Sequence, residues 1–200
     1  MFVAFEGIDG SGKSTQAKRF AEFARGDGSR RVVEVREPGG TRVGEDIRRI
    51  LLDPESGDLS VETEVFLFMA ARSHLCRELI APALERGEAV IADRFLVSSV
   101  VYQGIVGEFG ADRVLELGRT ATRGVVPDVT FVVDVDPEVG FSRIGSEPDR
   151  VEQKGLDFQK RLRDGYLHVA STSDRIVVVD GAGSIDDVAK RVLSEWESRS

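Results

Sequence analysis

Apolar residues fall in five short runs, and between the runs they recur every three or four positions. The runs centre on Phe2–Phe5, Arg31–Arg36, Glu88–Ala92, Val129–Val135 and Arg175–Asp180. Short continuous apolar runs read as strands buried on both faces, as in a parallel sheet covered by helices. The helical pattern appears first at Ala17, Phe20, Ala21 and Ala24, then at Val43, Ile47, Ile50 and Leu51, where Asp53-Pro54 closes it. A polar loop at Ser56–Ser60 leads into a long helix predicted over Val61–Arg86, with Val65, Phe68, Leu75, Leu79, Ala83 and Leu84 apolar and Pro82 as a kink. Further helices are expected at Val97–Tyr102, Ala111–Thr122, Pro137–Ile144, Val151–Ser171 and Ile185–Trp196, with a loop over Gly104–Gly110 and a break at Gly145–Pro148.

Strands alternating with helices predict an α/β fold: three layers, α/β/α, around a five-stranded parallel sheet. The 200 residues suit one domain, spanning 1–200, with a sizeable core. In such sheets ligands bind at the carboxyl ends of the strands. The segments that end there are Gly7–Ser14, Glu37–Thr41, Asp93–Phe95, Asp134 and Asp180.

Composition narrows the chemistry. The formal charge of −8 argues against a broad nucleic-acid surface, so phosphate must be held by local arginines. The single Cys76 rules out an internal disulfide and a multi-cysteine zinc site, and it fits a reducing compartment, here the cytoplasm. Its neighbours Leu75 and Leu79 make it a core thiol. The first apolar run is short and soon meets Glu6 and Asp9, so no signal peptide is expected, and no apolar stretch is long enough for a membrane span.

The chemistry concentrates in Gly7-Ile8-Asp9-Gly10-Ser11-Gly12-Lys13-Ser14, a full match to the phosphate-loop pattern GxxxxGK(S/T), placed between a strand and a helix as the motif requires. Gly7, Gly10 and Gly12 let backbone N–H groups turn toward an anion. The helix that starts near Lys13 adds its positive end. Lys13 reaches terminal phosphates as a point charge, the Ser14 hydroxyl is a Mg²⁺ ligand, and Thr15 continues the motif. Asp93-Arg94 follows the third strand. A carboxylate there can hold the Mg²⁺ shell, with Arg94 on the same rim, although an Asp-Arg pair alone is as readily a local ion pair.

The chain resembles the bacterial thymidylate kinases, nucleoside-monophosphate kinases of the P-loop NTPase fold. The resemblance rests on Phe5–Thr15, Arg36-Glu37-Pro38-Gly39-Gly40-Thr41, Phe68-Met69-Ala70-Ala71-Arg72, Ala92–Phe95, Tyr102-Gln103, Pro127-Asp128 and Asp149-Arg150-Val151-Glu152, in family order over nearly the full length. It implies transfer of a phosphoryl group from ATP to dTMP with Mg²⁺, in a homodimer. By the same resemblance Phe68 stacks on the thymine and Arg72 bonds its carbonyl, while Arg94 and Arg48 grip the dTMP phosphate. Asp9 lies near the acceptor's sugar and phosphate. Ser98, Ser99, Tyr102 and Gln103 line the base and sugar edge, and Pro38 packs near the pyrimidine methyl. Read from the residues alone, Phe68 is equally a core side chain, Arg48-Arg49 a solvated helix face and Asp9 a turn cap.

Two departures stand out. Some relatives carry an arginine within the phosphate loop, where this chain has Gly10 and Ser11. The lid, a segment of about 143–152, is short and offers only Arg143 and Arg150. Arg150 is expected to close over ATP as a catalytic group with Lys13, Asp9 and Arg94, and Arg143 to contact ATP. Asp180-Gly181-Ala182-Gly183 forms either an adenine-side loop or an ordinary connection. Rival readings are another nucleoside-monophosphate or deoxynucleoside kinase, a noncatalytic nucleotide binder, and a GTP-dependent switch. The last reads guanine through asparagine, which this chain lacks entirely.

Overall fold

The computed structural model describes residues 1–26, 28, 31–145 and 149–199. Five strands, β1 (Phe2–Glu6), β2 (Val32–Arg36), β3 (Ala89–Asp93), β4 (Val129–Asp134) and β5 (Ile176–Asp180), form one sheet. All pairings are parallel and the order is β2-β3-β1-β4-β5, so β1 sits at the centre and its neighbours on either side come much later in the chain. The register pairs Phe5 with Asp93 on one side and with Phe131 on the other. Every carboxyl end therefore opens on the same edge.

Alternation along β1 builds two cores. Phe2 and Ala4 face a cluster with Val65, Leu75, Ile80, Val90 and Phe95, while Val3 and Phe5 face one with Phe20, Ala21, Phe131, Val188 and Val192. Burying each such ring or branched side chain contributes roughly 1.5–3 kcal/mol, and the inner strands β1, β3 and β4 are buried almost throughout, whereas the edge strands β2 and β5 keep exposed positions such as Glu34 and Val178. A third cluster, around Val101, Phe158, Leu162 and Tyr166, lies under the phosphate-loop end of the sheet.

The helices are α1 (Lys13–Arg25), α2 (Arg42–Leu52), α3 (Val61–Leu75), α4 (Ala81–Glu85), α5 (Leu96–Ser99), α6 (Ala111–Thr122), α7 (Pro137–Ser142), α8 (Leu156–Ala170) and α9 (Ile185–Glu197). Thr41 and Ser60 cap α2 and α3 with their side chains, and Ser184 with Asp187 makes a capping box for α9. The long helix predicted over Val61–Arg86 is α3 and α4 joined by a wide π-type turn, Cys76–Ile80. Pro82 has no N–H and its ring would press on the carbonyl four residues back; the wider turn just before it relieves both. A second wide turn, Val100–Val106, carries helical backbone past Tyr102 into the expected loop, closed by Gly107 N–H on Tyr102 O at 2.9 Å. The helix predicted over Val151–Ser171 begins only at Leu156, because Gly155 sits at φ +81° and breaks it from the short turn Glu152–Lys154. Residues 146–148 of the predicted break lie outside the described residues. Cys76 is buried and free, and burial pushes its thiol up to about 12, as a core residue's would be. Among the described residues no helix is long and apolar enough to cross a membrane.

Candidate active site

The phosphate loop leaves the end of β1 and enters α1. Gly10 has φ +73°, and a Cβ there would lie 2.0 Å from the carbonyl oxygen of Gly140 on α7, so only glycine fits. Gly7 and Gly12 also have positive φ, with Gly12 left-handed at the helix start. The first N–H groups of α1 have no partner within the helix and face the loop's concavity. Ile8 is buried in the third core cluster and offers only its backbone. Ser11 is buried, and its hydroxyl accepts from Lys13 N–H at 3.4 Å. The Lys13 ammonium is nearly enclosed, 3.3 Å from Ile8 O and 3.5 Å from Asp9 Oδ1. Burial, and then the charge of Arg94, lower its pKa. Ser14 and Thr15 are exposed at the start of α1.

Arg94 is the hub. It follows β3 at φ +68°, a strained backbone for a side chain of its size. Its NH1 donates to Gly7 O at 3.1 Å, Ser98 Oγ at 3.0 Å and Tyr166 Oη at 2.9 Å. Its NH2 donates to Asp9 Oδ1 and, at 3.2 Å, to Tyr102 Oη. The second Asp9 oxygen accepts from Tyr102 Oη at 3.2 Å and Gln159 Nε2 at 3.3 Å. Burial alone would raise the Asp9 carboxyl, but the charges of Arg94 and Lys13 outweigh it and hold the group well below the usual carboxylate range. Beneath lies Glu6, fully buried, accepting from Phe95 N–H at 2.9 Å, Ser98 N–H at 3.1 Å, Ser98 Oγ and Tyr166 Oη. Burial raises its pKa.

Beside the hub opens a cavity of about 650 Å³. It is lined by Phe68, Arg72 and Arg94 together with Lys13, Ser14, Asp9, Asp93, Pro38 and Arg48. Ser98, Ser99, Tyr102 and Gln103 line it too, so one hollow gathers residues far apart in sequence. Phe68 is half-buried on its wall rather than sunk in the core. Arg48 donates to Pro38 O at 2.9 Å, inward from the helix face on which Arg49 is exposed.

Arg72 is 1% exposed and its Nε and NH2 both meet one oxygen of Glu37, at 2.7 and 2.6 Å. NH2 also reaches Phe95 O at 3.2 Å and Ser99 Oγ at 3.0 Å. The other Glu37 oxygen is buried and has no partner among the described residues. Burial pushes the Glu37 carboxyl up to about 7 in spite of Arg72. Between its ordinary 4.5 and about 7, the folded chain holds a proton that the unfolded chain has released, so stability falls as pH rises through that window. At roughly 1.4 kcal/mol per unit the loss is about 3 kcal/mol. In Glu37→Gln that share of the slope disappears from urea unfolding measured between pH 4.5 and 7.5. An unchanged slope would place the carboxyl's titration elsewhere.

Asp93 Oδ1 is buried without a partner among the described residues, and Asp93 shares the cavity with the exposed Ser14. A carboxylate and a hydroxyl are hard oxygen donors, and two protein ligands suit Mg²⁺, which keeps waters and takes the rest of its shell from phosphate.

The lid residues separate. Arg143 is exposed and donates to Gly10 O at 3.1 Å, against the phosphate loop. Arg150, expected over ATP, is instead 8% exposed and does not line the cavity. Its guanidinium lies 2.7 Å from Glu64 Oε1 and 2.8 Å from Leu51 O, and its N–H bonds Leu52 O at 3.0 Å. A buried guanidinium needs a carboxylate, and Glu64 on α3 supplies it, while the flanking Asp149, Val151 and Glu152 do line the cavity. Asp149 ties the segment together by accepting from Val151 and Glu152 N–H at 2.8 and 2.9 Å. The acids Glu6, Glu37 and Glu64, and Gln159 and Tyr166 on α8, were not given a role from the sequence; Glu6 and Glu37 appeared there only as members of the segments Phe5–Thr15 and Arg36–Thr41.

The family model described as thymidylate kinase matches residues 5–192. A thymidylate kinase of Kosmotoga olearia is 46% identical over 199 residues, 98% of this chain and 95% of that one. One from Thermosipho melanesiensis is 42% identical over 193 residues, 96% of this chain and 95% of that one. A crystal structure of thymidylate kinase from Ehrlichia chaffeensis superposes with a TM-score of 0.80 at 32% identity, covering 98% of each chain.

Proposed function

Since the chain belongs to the thymidylate kinase family, and so transfers a phosphoryl group from ATP to dTMP to give dTDP and ADP, we propose the following division of labour among its residues. The phosphate loop from Gly7 to Thr15, the start of α1 and Lys13 hold the β- and γ-phosphates. Arg94 and Arg48 hold the phosphate of dTMP, with Asp9 and Tyr102 fixing the Arg94 fork from the other side. Guanidinium groups suit this task because their paired N–H groups match phosphate oxygens. Phe68 stacks on the thymine, Pro38 packs near its methyl, and Arg72, Ser99 and Gln103 read its polar edge, with Ser98 beneath the sugar. Ser14 and Asp93 hold Mg²⁺, which when bound neutralises charge on the phosphate oxygens. Arg143, already against Gly10, covers ATP; in this structure Arg150 is committed to Glu64 and anchors the lid's root.

Such a reaction asks for little proton transfer. Bringing two anions together and neutralising the charge that builds between them supplies most of the rate. The observation that carries the reading is that Phe68, Arg72 and Arg94 share one cavity with the phosphate loop. A homodimer packed through helices and a cytoplasmic home extend the proposal. Phe66 on α3 and Ile50 on α2, 60% and 47% exposed, support the first.

The test is ADP release in a coupled assay with ATP and each of dTMP, dUMP, dCMP, dGMP and dAMP. Turnover is expected with dTMP, at least roughly a hundredfold above dCMP and the purines in kcat/KM, since a site that hydrogen-bonds its ligand rejects mismatched groups by that order or more. Equal rates with all five, or none with dTMP, would overturn the reading.

A further inference from the structure

Glu64 occupies a place that the division of labour above leaves unused. It lies on α3, buried, and its two oxygens are spent in different directions. Oε1 faces Arg150 at 2.7 Å, and Oε2 accepts from Gln103 Nε2 at 2.9 Å. Gln103 is itself 3% exposed and lines the cavity, and its Oε1 is buried with no partner among the described residues. An amide has a donor end and an acceptor end, whereas a carboxylate only accepts. Glu64 therefore takes the NH₂ of Gln103 and leaves the carbonyl as the unpaired end of an amide that lines the cavity.

The neighbouring Arg72 supplies the opposite polarity. Its Nε and NH2 are engaged, but its NH1 meets only the Met69 sulfur, at 3.4 Å, among the described residues, and a thioether is a weak acceptor. The pocket edge thus offers a donor from Arg72 and an acceptor from Gln103. A pyrimidine with a carbonyl at C4 beside an N3–H matches that pair. Cytosine, with an amino group at C4 and a bare N3, reverses it.

We propose that Glu64 is a positioning residue for pyrimidine recognition: it locks the Gln103 amide with its carbonyl toward the base, and its bond to Arg150 ties that orientation to the root of the lid. The inference rests on the assignment of this cavity to dTMP and deepens it. Glu64 touches no substrate and acts through Gln103.

The chemistry dictates an informative set of variants. In Glu64→Gln the carbonyl is drawn to Arg150, so the new NH₂ faces Gln103 and forces its amide to invert. The KM for dTMP is then expected to rise about tenfold, the equivalent of about 1.4 kcal/mol for one hydrogen bond lost. The KM for ATP stays within about twofold, and the preference for dTMP over dCMP narrows by a similar factor of about ten. In Gln103→Glu two carboxylates meet, and the KM for dTMP also rises. In the double variant Glu64→Gln, Gln103→Glu, the amide at position 64 donates to one oxygen of the carboxylate at position 103, whose other oxygen faces the base. The double variant is therefore expected to bind dTMP better than either single one, within about threefold of the parent.

Melting curves without ligand establish which variants fold. If Glu64→Gln folds with an unchanged KM for dTMP and an unchanged preference over dCMP, the proposal fails. It fails equally if the double variant is no better than the singles, which is the additive result of a purely structural role. Should Glu64→Gln not fold, the comparison of Gln103→Glu with the double variant decides by the same criterion. Parent enzyme with no dTMP-dependent ADP release would instead sink the assignment of the cavity.

Discussion

Replacing Arg94 by methionine is expected to lower kcat/KM for dTMP by roughly a thousandfold, the scale on which arginines that neutralise a transferring phosphoryl group act. One side chain here meets Gly7 O, Ser98, Tyr166, Asp9 and Tyr102, and it lines the cavity together with Asp9, Lys13 and Ser14 of the phosphate loop. Its loss removes positive charge from the place where, in the proposed division of labour, two anionic nucleotides meet. It also strands Asp9, whose low pKa depends on Arg94 and Lys13. That second effect appears as lost stability, about 3–5 kcal/mol if nothing relaxes, because a buried carboxylate is left with a weaker partner. Lysine does not repair the site. A flexible ammonium has three donors and no planar fork, and the five acceptors around Arg94 are spread over the two terminal guanidinium nitrogens. Arg94→Lys should therefore remain at least roughly a hundredfold below the parent. Steady-state kinetics with dTMP varied at saturating ATP measure both values. Arg94→Lys within tenfold of the parent would mean that charge alone matters and that the fork has been overvalued.

Lys13→Met is expected to separate activity from stability. The ammonium lies beside Ile8 O and Asp9, nearly enclosed, and burial works against its charge. Removing it takes away the point charge proposed to meet the terminal phosphates, and kcat should fall by roughly 10²–10³ as for loss of a preorganised electrostatic group. The folded chain loses little, because methionine fills the same volume without the cost of desolvating a cation, and Asp9 keeps Arg94. The melting temperature without nucleotide should thus match or exceed the parent's, while the rise that ATP brings should shrink. Single-turnover phosphoryl transfer and melting curves measure the two halves. A variant that keeps more than about a tenth of kcat would remove Lys13 from the charge-neutralising set.

The parts of this molecule that could be read from sequence are those whose signal is local. Val3-Ala4-Phe5 reads as a strand because both its faces are covered, and Gly7 to Ser14 reads as an anion loop because its spacing is self-contained. Phe68 and Arg72 could be paired because they lie one helical turn apart. Tyr166 and Gln159 could not be found that way. They sit on α8, whose apolar face looks like any other, and they reach Glu6 and Asp9 across separations of 160 and 150 residues. Buried acids are hidden for a related reason. A glutamate in a loop or on a helix reads as a solvated position, and only its partner shows otherwise: Arg72 for Glu37, Arg150 for Glu64. The place of Arg150 was illegible because its motif names the residue and not the carboxylate 86 positions earlier that captures it. The wide turns at Cys76–Ile80 and Val100–Val106 share the apolar pattern of an ordinary helix and leave no mark on periodicity.

The meeting of Gly10 with Gly140 reaches further than either residue's conformation. Backbone lies on backbone there, with 2.0 Å between a would-be Cβ and the opposing carbonyl. The glycine loop proposed as an anion cradle therefore backs onto a wall of α7, set by a distant downstream stretch that no motif covers. Lengthening or shortening the turn at Asp136 would slide that wall, and the gap between loop amides and phosphate would change with every loop residue left as it is. Engineering the cradle's width is a task for the segment around 136–140, and grafting the loop alone onto another sheet would not carry its dimensions along.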